Sequence, residues 1–140
     1  MSISALIEEL LNDVSDDFTP PLKEEIKLNE YAEKITRHAT IFSIIEGGKL
    51  AGFIAVYCND PEKQIAYVTM LAVSKSHRIN GIGTQLIEMT VDYLKKIGFG
   101  KITLEIYKTN LKAVNFYRGL GFLIEKETDK SFIAYKNIFN

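Results

Sequence analysis

Residues 66–83 read AYVTMLAVSKSHRINGIG, and how this stretch is read decides the fold. Residues 66–73 are a short apolar run rich in β-formers, which predicts a strand. Residues 74–80 are polar, and Gly81-Ile82-Gly83 then opens a long amphipathic stretch that predicts a helix over 82–97. A strand that passes through a glycine-rich turn into a helix builds an anion site. The first helical N–H groups lack intrahelical acceptors, and the helix dipole adds partial positive charge there. Glycines also let backbone approach a phosphate closely. Arg78 adds a guanidinium three residues before Gly81, so Arg78-x-x-Gly81-x-Gly83 reads as a pyrophosphate cradle. The glycine pair alone also fits an ordinary strand-to-helix turn. A dinucleotide fold fits worse. Its G-x-G-x-x-G fingerprint directly follows the strand, whereas seven residues intervene here and Leu86 stands where the third glycine belongs.

Outward from this stretch the chain alternates strand and helix. Ile82, Leu86, Met89, Tyr93 and Ile97 form an apolar stripe that Ile87, Val91 and Leu94 widen, as suits a helix packed on a sheet; Gly98 suits its end. Residues 101–107 put Ile102, Leu104 and Ile106 on one face and Thr103, Glu105 and Tyr107 on the other. Strand, helix, strand in that order requires 101–107 to run parallel to 66–73 through a right-handed crossover. Asn110 is placed to cap a short helix over 110–119, and residues 122–127 and 131–136 make a closing hairpin. Upstream, 40–46, 49–58 and 64–73 read as an antiparallel meander, turned first at Gly47-Gly48 and then over 59–63. Earlier still, Ile3, Leu6, Ile7, Leu10 and Leu11 have helical spacing that breaks over 12–17. Phe18-Thr19-Pro20-Pro21 reads as a stiff connector, and 28–39 as a second helix with Tyr31 and Ile35 inward and Asn29 as its cap. The expectation is one α/β domain over 1–140, with a mixed, mostly antiparallel sheet of about six strands flanked by helices.

Composition narrows the function. An apolar content of 46% and a charged content of 25% over 140 residues are those of a globular protein with a real core. A net charge of −1 gives no electrostatic case for nucleic acid. The single cysteine, Cys58, excludes an internal disulfide and reads as a packing residue. The acidic start, MSISALIEELLNDVSDD, lacks the basic region of a secretion signal, and no apolar run is long enough to span a bilayer. These features favour the cytoplasm. No HExxH, CxxC or carboxylate cluster supports a metal site.

Two segments together carry a resemblance. Arg78-Ile79-Asn80-Gly81-Ile82-Gly83 and Asn110-Leu111-Lys112-Ala113-Val114-Asn115-Phe116-Tyr117-Arg118-Gly119-Leu120-Gly121-Phe122, in this order and separation, resemble the GNAT superfamily of acyl-CoA-dependent N-acyltransferases. The resemblance covers 40–137, which makes that segment the acetyl-CoA-binding core and 1–39 a helical acceptor-side segment. It implies that Leu71, Ala72 and Val73 pair through their backbones with the pantetheine amides. It implies that Arg78 and the backbone of Ile79, Asn80, Gly81, Ile82, Gly83 and Thr84 hold the pyrophosphate. Asn110 would contact acetyl-CoA or its bound water, and Tyr117 would face the thioester sulfur. Thr103-Leu104-Glu105-Ile106 is similar to the fifth strand of the subgroup that acetylates protein N-terminal amines. Asp17-Phe18-Thr19-Pro20-Pro21-Leu22 looks like a phrase of acetyltransferases linked to surface polysaccharide synthesis. One departure is visible: the family usually starts with a strand, and this chain starts with a helix.

The chemistry then needs a proton acceptor, since an alkyl ammonium has a reference pKa of about 10.4. Glu105 is the base by position, near the mouth between the two parallel strands; a solvated or salt-bridged carboxylate is the plainer reading, with water held by Thr69 or Tyr67 as the other base. Tyr117 is the acid candidate for the leaving thiolate. A tyrosine near 10 and a thiol near 8.5 put full transfer uphill by roughly 2 kcal/mol, so a hydrogen bond is the lesser demand. Oxyanion donors come most cheaply from backbone N–H groups where the strand after Thr69 splays from its neighbour. His38 and His77 read as surface residues, with His77 next to Arg78 within reach of a coenzyme phosphate. Phe18, Pro20, Pro21, Tyr31, Tyr57 and Phe132 are candidate acceptor-pocket residues, and Asp16 and Asp17 candidates to draw an amine. The reading is direct acetyl transfer from acetyl-CoA to a primary amine of a small molecule, sugar or protein. The alternatives are a non-catalytic acyl-CoA-binding sensor and an O-acetyltransferase. Homodimer pairing through a sheet edge fits the pattern.

Overall fold

The computed structural model describes residues 1–139, without the side chain of Ile79. Helix α1 (Ile3–Val14) begins where the Ser2 side chain accepts the Ala5 N–H, and it buries Leu6, Ile7, Leu10, Leu11 and Val14. It therefore runs past the break expected at Asn12: Val14 continues the apolar stripe, and its burial outweighs the polar residues before it. Ser15–Asp17 then tighten into a single 3₁₀ turn. The stiff connector over 18–21 leads into one helical turn, α2 (Leu22–Glu25), with Pro21 at its cap position and Leu22 buried. Helix α3 (Leu28–His38) buries Leu28, Ala32 and Ile35. Asn29 does not cap it. Lys27 occupies the cap position without a side-chain bond, because burial of Leu28 starts the helix one residue earlier.

Six strands follow: β1 (Thr40–Glu46), β2 (Lys49–Tyr57), β3 (Ile65–Val73), β4 (Lys101–Tyr107), β5 (Leu123–Glu127) and β6 (Ser131–Asn137). Helix α4 (Ile82–Lys96) joins β3 to β4, and α5 (Leu111–Gly119) joins β4 to β5. The sheet order is β1-β2-β3-β4-β6-β5. Only β3 and β4 are parallel, as the crossover requires. Helices precede the first strand, so the helical start read from the sequence is the observed one.

The sheet separates two cores. On one face α4 and α5 pack Leu86, Ile87, Leu94 and Val114 against Ile54, Val56, Val68, Ile102 and Leu104. On the other, α1, α2 and α3 pack Ile7, Leu11, Leu22 and Ile35 against Phe53, Ala55 and Ala72. The α4 stripe differs from the expected one. Met89, Tyr93 and Ile97 are only partly buried, while Thr90 is fully buried and satisfies its hydroxyl by donating to the Leu86 carbonyl at 2.8 Å. Helix α4 lies so close to β2 at Gly52 that a Cβ there would stand 2.9 Å from Ile82 Cγ2. Cys58 sits just past β2 with its Sγ 3.3 Å from Thr40 Oγ1. No helix among the described residues is long and apolar enough to cross a membrane.

Two irregularities position the site. Pairing of β3 with β4 runs from Ile65↔Lys101 to Val68↔Leu104 and goes no further. At the same height the β2–β3 register shifts from Ala55↔Met70 to Val56↔Val68, which leaves Thr69 as the extra residue of a β-bulge. Beyond Thr69 the two parallel strands form an open wedge.

Candidate active site

The wedge holds a cavity of about 290 Å³ between the sheet and the N-terminal segment. Strand β3 contributes Tyr67 to Leu71, and β4 contributes Leu104 to Tyr107. Phe18, Pro20, Leu22, Glu25, Ile26 and Tyr31 close it from the N-terminal helices and their connector. Alternation along β4 decides what faces inward. Leu104 and Ile106 are buried in the sheet core while Glu105 is exposed, as the period-two pattern predicts. The Glu105 carboxylate accepts a hydrogen bond of 2.6 Å from the hydroxyl of buried Ser131 on β6. Ser131 was not legible as a site residue, because only the β4–β6 register brings it beside Glu105.

Three tyrosines on this cavity have raised pKa values. Burial lifts the Tyr31 hydroxyl to about 12, against a lowering hydrogen bond from Thr69. Burial, then the charge of Glu105, raises Tyr67. Burial alone raises Tyr117 further still, so its phenol stays neutral well beyond physiological pH. Tyr117 keeps part of its surface open, however, because it lines this cavity and its neighbour.

That neighbour is a groove of about 840 Å³ along the far end of β3 and the start of α4. Leu71, Ala72, Val73, Arg78, Gly81, Gly83, Thr84 and Asn110, all read from the sequence, line it together. Gly81 precedes α4 with φ +72° and nothing within 4 Å of a Cβ built on it, a left-handed turn that leaves the floor of the groove open. The first N–H groups of α4 have no intrahelical acceptors there. Ile82 turns its side chain into the sheet core, and Asn80 is exposed outside the lining, so each has only backbone to offer; the Ile79 side chain lies outside the described residues. Asn110 caps α5, its Oδ1 accepting the Ala113 N–H at 3.1 Å. Strand backbone without a β4 partner, free helix N–H groups, Arg78 and Lys112 suit an amide-bearing chain that ends in a pyrophosphate. Acetyl-CoA fits this donor set.

Other side chains sit elsewhere than expected. Asp17 does not line the cavity. It borders the groove, bonded to Arg78 and 3.9 Å from Lys75 Nζ. His77 turns from the groove, its Nε2 2.8 Å from Glu46 Oε2 and its Nδ1 2.9 Å from Ser74 Oγ. Pro21, Tyr57 and Phe132 do not line the cavity, whereas Glu25, Ile26 and Tyr107 do and were not singled out.

Comparison with known proteins agrees with this geometry. The model of the acetyltransferase (GNAT) family matches residues 7–122. The chain belongs to this family. An uncharacterized N-acetyltransferase of Methanocaldococcus jannaschii is 36% identical over 90 residues, which are 61% of this chain and 39% of the relative. N-alpha-acetyltransferase 30 of Saccharomyces cerevisiae is 31% identical over 83 residues, 57% of this chain and 47% of that one. The chain thus spans less than half the length of either curated relative. Among solved structures, the PaiA N-acetyltransferase of Thermoplasma acidophilum in complex with coenzyme A superposes with a TM-score of 0.80 at 18% identity, over 98% of this chain and 95% of that one. At that identity the likeness is one of fold, and the GNAT fold is the one observed.

Proposed function

We propose that this GNAT protein is an N-acetyltransferase that moves the acetyl group of acetyl-CoA directly to a primary amine. One observation carries the reading: groove and cavity meet, sharing Phe18, Leu71, Asn110, Ala113 and Tyr117, so a thioester threaded along the groove would end where an amine enters from the cavity. Residues 40–137 then serve as the acetyl-CoA core, and 1–39 supply the acceptor wall through Phe18, Pro20, Leu22, Glu25 and Tyr31.

In this reading the backbone of Leu71, Ala72 and Val73 aligns the pantetheine arm, and the α4 N-terminus with Arg78 holds the pyrophosphate. The amine nitrogen attacks the thioester carbonyl carbon, a C–N bond forms, and the C–S bond breaks as the oxyanion collapses. The proton leaves the amine toward Glu105, directly or through water, with Ser131 fixing the carboxylate. The thiolate receives a hydrogen bond from Tyr117. The raised pKa of Tyr117 widens its gap to a thiol, which favours this over full proton transfer. Concentrated donors and orientation supply the rate.

The lining of the cavity also favours one kind of acceptor. Glu25 and Glu105 are its ionisable carboxyl groups, and no lysine, arginine or histidine is among its described residues. A cationic amine is drawn in and an anionic acceptor is repelled.

The test is calorimetry with acetyl-CoA, coenzyme A and NAD, followed by thiol release from acetyl-CoA with a linear diamine, an aminoglycoside and a peptide with a free N-terminus. Acetyl-CoA binding and release with at least one amine are expected. Binding without release on any amine would leave a sensor module, and a preference for NAD would overturn the reading of the glycine turn.

A further inference from the structure

The bulge at Thr69 is not held by the sheet alone. Thr69 has no cross-strand partner on β2, and the pairing of β3 with β4 has ended one residue before it. Met70, on the far side of its peptide, is paired with Ala55 on β2, so the sheet pins the peptide from that side only. Yet the Tyr31 hydroxyl reaches from α3 across the cavity wall, lying 2.9 Å from Thr69 Oγ1 and 3.4 Å from the Thr69 carbonyl oxygen. Among the described residues, no other side chain of the N-terminal helices is hydrogen-bonded to the wedge. Tyr31 sits largely buried, and its phenol keeps its proton up to about pH 12. It is therefore a donor at every pH at which the enzyme works.

A trans peptide is planar, so fixing the Thr69 carbonyl also fixes the Met70 N–H on the other side of the same bond. The acetyl transfer proposed above needs backbone N–H donors in this stretch of β3 to receive the thioester oxygen as it gains charge. Such donors work only when they are aimed before the reaction starts. We propose that Tyr31 is a positioning residue that locks the Thr69–Met70 peptide and so aims the oxyanion donors of the wedge. Tyr31 need not touch the reacting atoms. It acts through Thr69, and it makes α3 part of the catalytic apparatus as well as a wall of the acceptor cavity.

This inference rests on the acetyltransferase reading, and the experiment separates the two. Tyr31→Phe removes only the hydroxyl. Wild type and variant are compared by calorimetry with coenzyme A, by thiol release at saturating acetyl-CoA, and by the amide ¹H–¹⁵N resonance of Met70. Expected for Tyr31→Phe are a coenzyme A Kd within twofold of wild type, a kcat at least tenfold lower, and a displaced Met70 resonance in both free and acetyl-CoA-bound protein. Thr69→Ser, which keeps the hydroxyl, lowers kcat less than Thr69→Val does, and the double variant of Thr69→Val with Tyr31→Phe is no slower than Tyr31→Phe alone. A general loosening of the fold would instead weaken coenzyme A and kcat together. That result, an unmoved Met70 resonance, or additive effects in the double variant would each overturn the proposal. Should wild type release no thiol with any amine, the acetyltransferase reading fails. The Met70 resonance then still decides whether Tyr31 sets this peptide.

Discussion

The Arg78 guanidinium donates through Nη2 to the Asp17 carboxylate, joining the loop before α4 to the segment after α1. Both residues border the groove that fits acetyl-CoA, and Arg78 also donates from Nε to the Val73 carbonyl at 3.3 Å. A pyrophosphate entering that groove meets an arginine already neutralised by a neighbouring carboxylate. Asp17→Asn is therefore expected to tighten coenzyme A. A unit charge a few ångström from a phosphate is worth on the order of 1 kcal/mol at high dielectric, about fivefold in Kd. The gain shrinks as salt is raised. Calorimetry at low and high ionic strength checks it; a weaker Kd in Asp17→Asn would mean that Asp17 orients Arg78 rather than competing for it.

Tyr117 lines both groove and cavity, and Tyr117→Phe removes only its hydroxyl. Loss of one transition-state donor costs about 10²-fold in turnover. The expected result is a fall of that order in kcat with acetyl-CoA affinity within about twofold of wild type, an allowance for the modest ground-state worth of one hydrogen bond. Equal losses in turnover and affinity would reduce Tyr117 to a packing residue.

Glu105→Gln keeps the shape of the side chain and an acceptor for Ser131 but removes the proposed base. A general base contributes about 10²–10⁴-fold, so the variant is expected to be slower by at least 10² and to lose one limb of the pH–rate profile. Neither Tyr31 nor Tyr117 supplies a limb between pH 6 and 9, because burial raises both. An unchanged profile in Glu105→Gln would move the base to a water chain.

Tyr31 also predicts an alkaline loss of stability. Its folded pKa of about 12 lies above the ordinary tyrosine value near 10. The folded state therefore favours the neutral phenol. The contribution is complete below pH 10 and disappears as pH rises toward 12, by at most about 3 kcal/mol at roughly 1.36 per unit. Urea midpoints from pH 9 to 12 check it, with Tyr31→Phe expected to fall less steeply than wild type over the same range.

Gly52→Ala tests the packing of α4 on β2. A new Cβ would meet Ile82 Cγ2 at 2.9 Å and the Ala72 carbonyl oxygen at 3.1 Å. Overpacking of this kind costs about 1–3 kcal/mol. A thermal midpoint lower by several degrees is expected, together with weaker coenzyme A binding, because Ile82 opens the helix whose N-terminus borders the groove. An unchanged midpoint would show that α4 shifts without cost.

By itself the sequence determined whatever depends on near neighbours. Alternation of Ile102, Leu104 and Ile106 placed Glu105 on the open face, strand–helix–strand order set β3 parallel to β4, and Arg78-x-x-Gly81-x-Gly83 located the groove. Period, turn chemistry and capping are local, so they can be read along the chain. Tertiary structure decided what depends on residues far apart. Only packing brings Asp17 to Arg78, Tyr31 to Thr69 and Ser131 to Glu105, and only the strand register makes Thr69 a bulge. The same holds for Thr90, a polar residue fully buried in α4 because its hydroxyl is satisfied within its own helix. Such pairings follow from how two cores settle on one sheet, and no spacing within either segment encodes the distance between them.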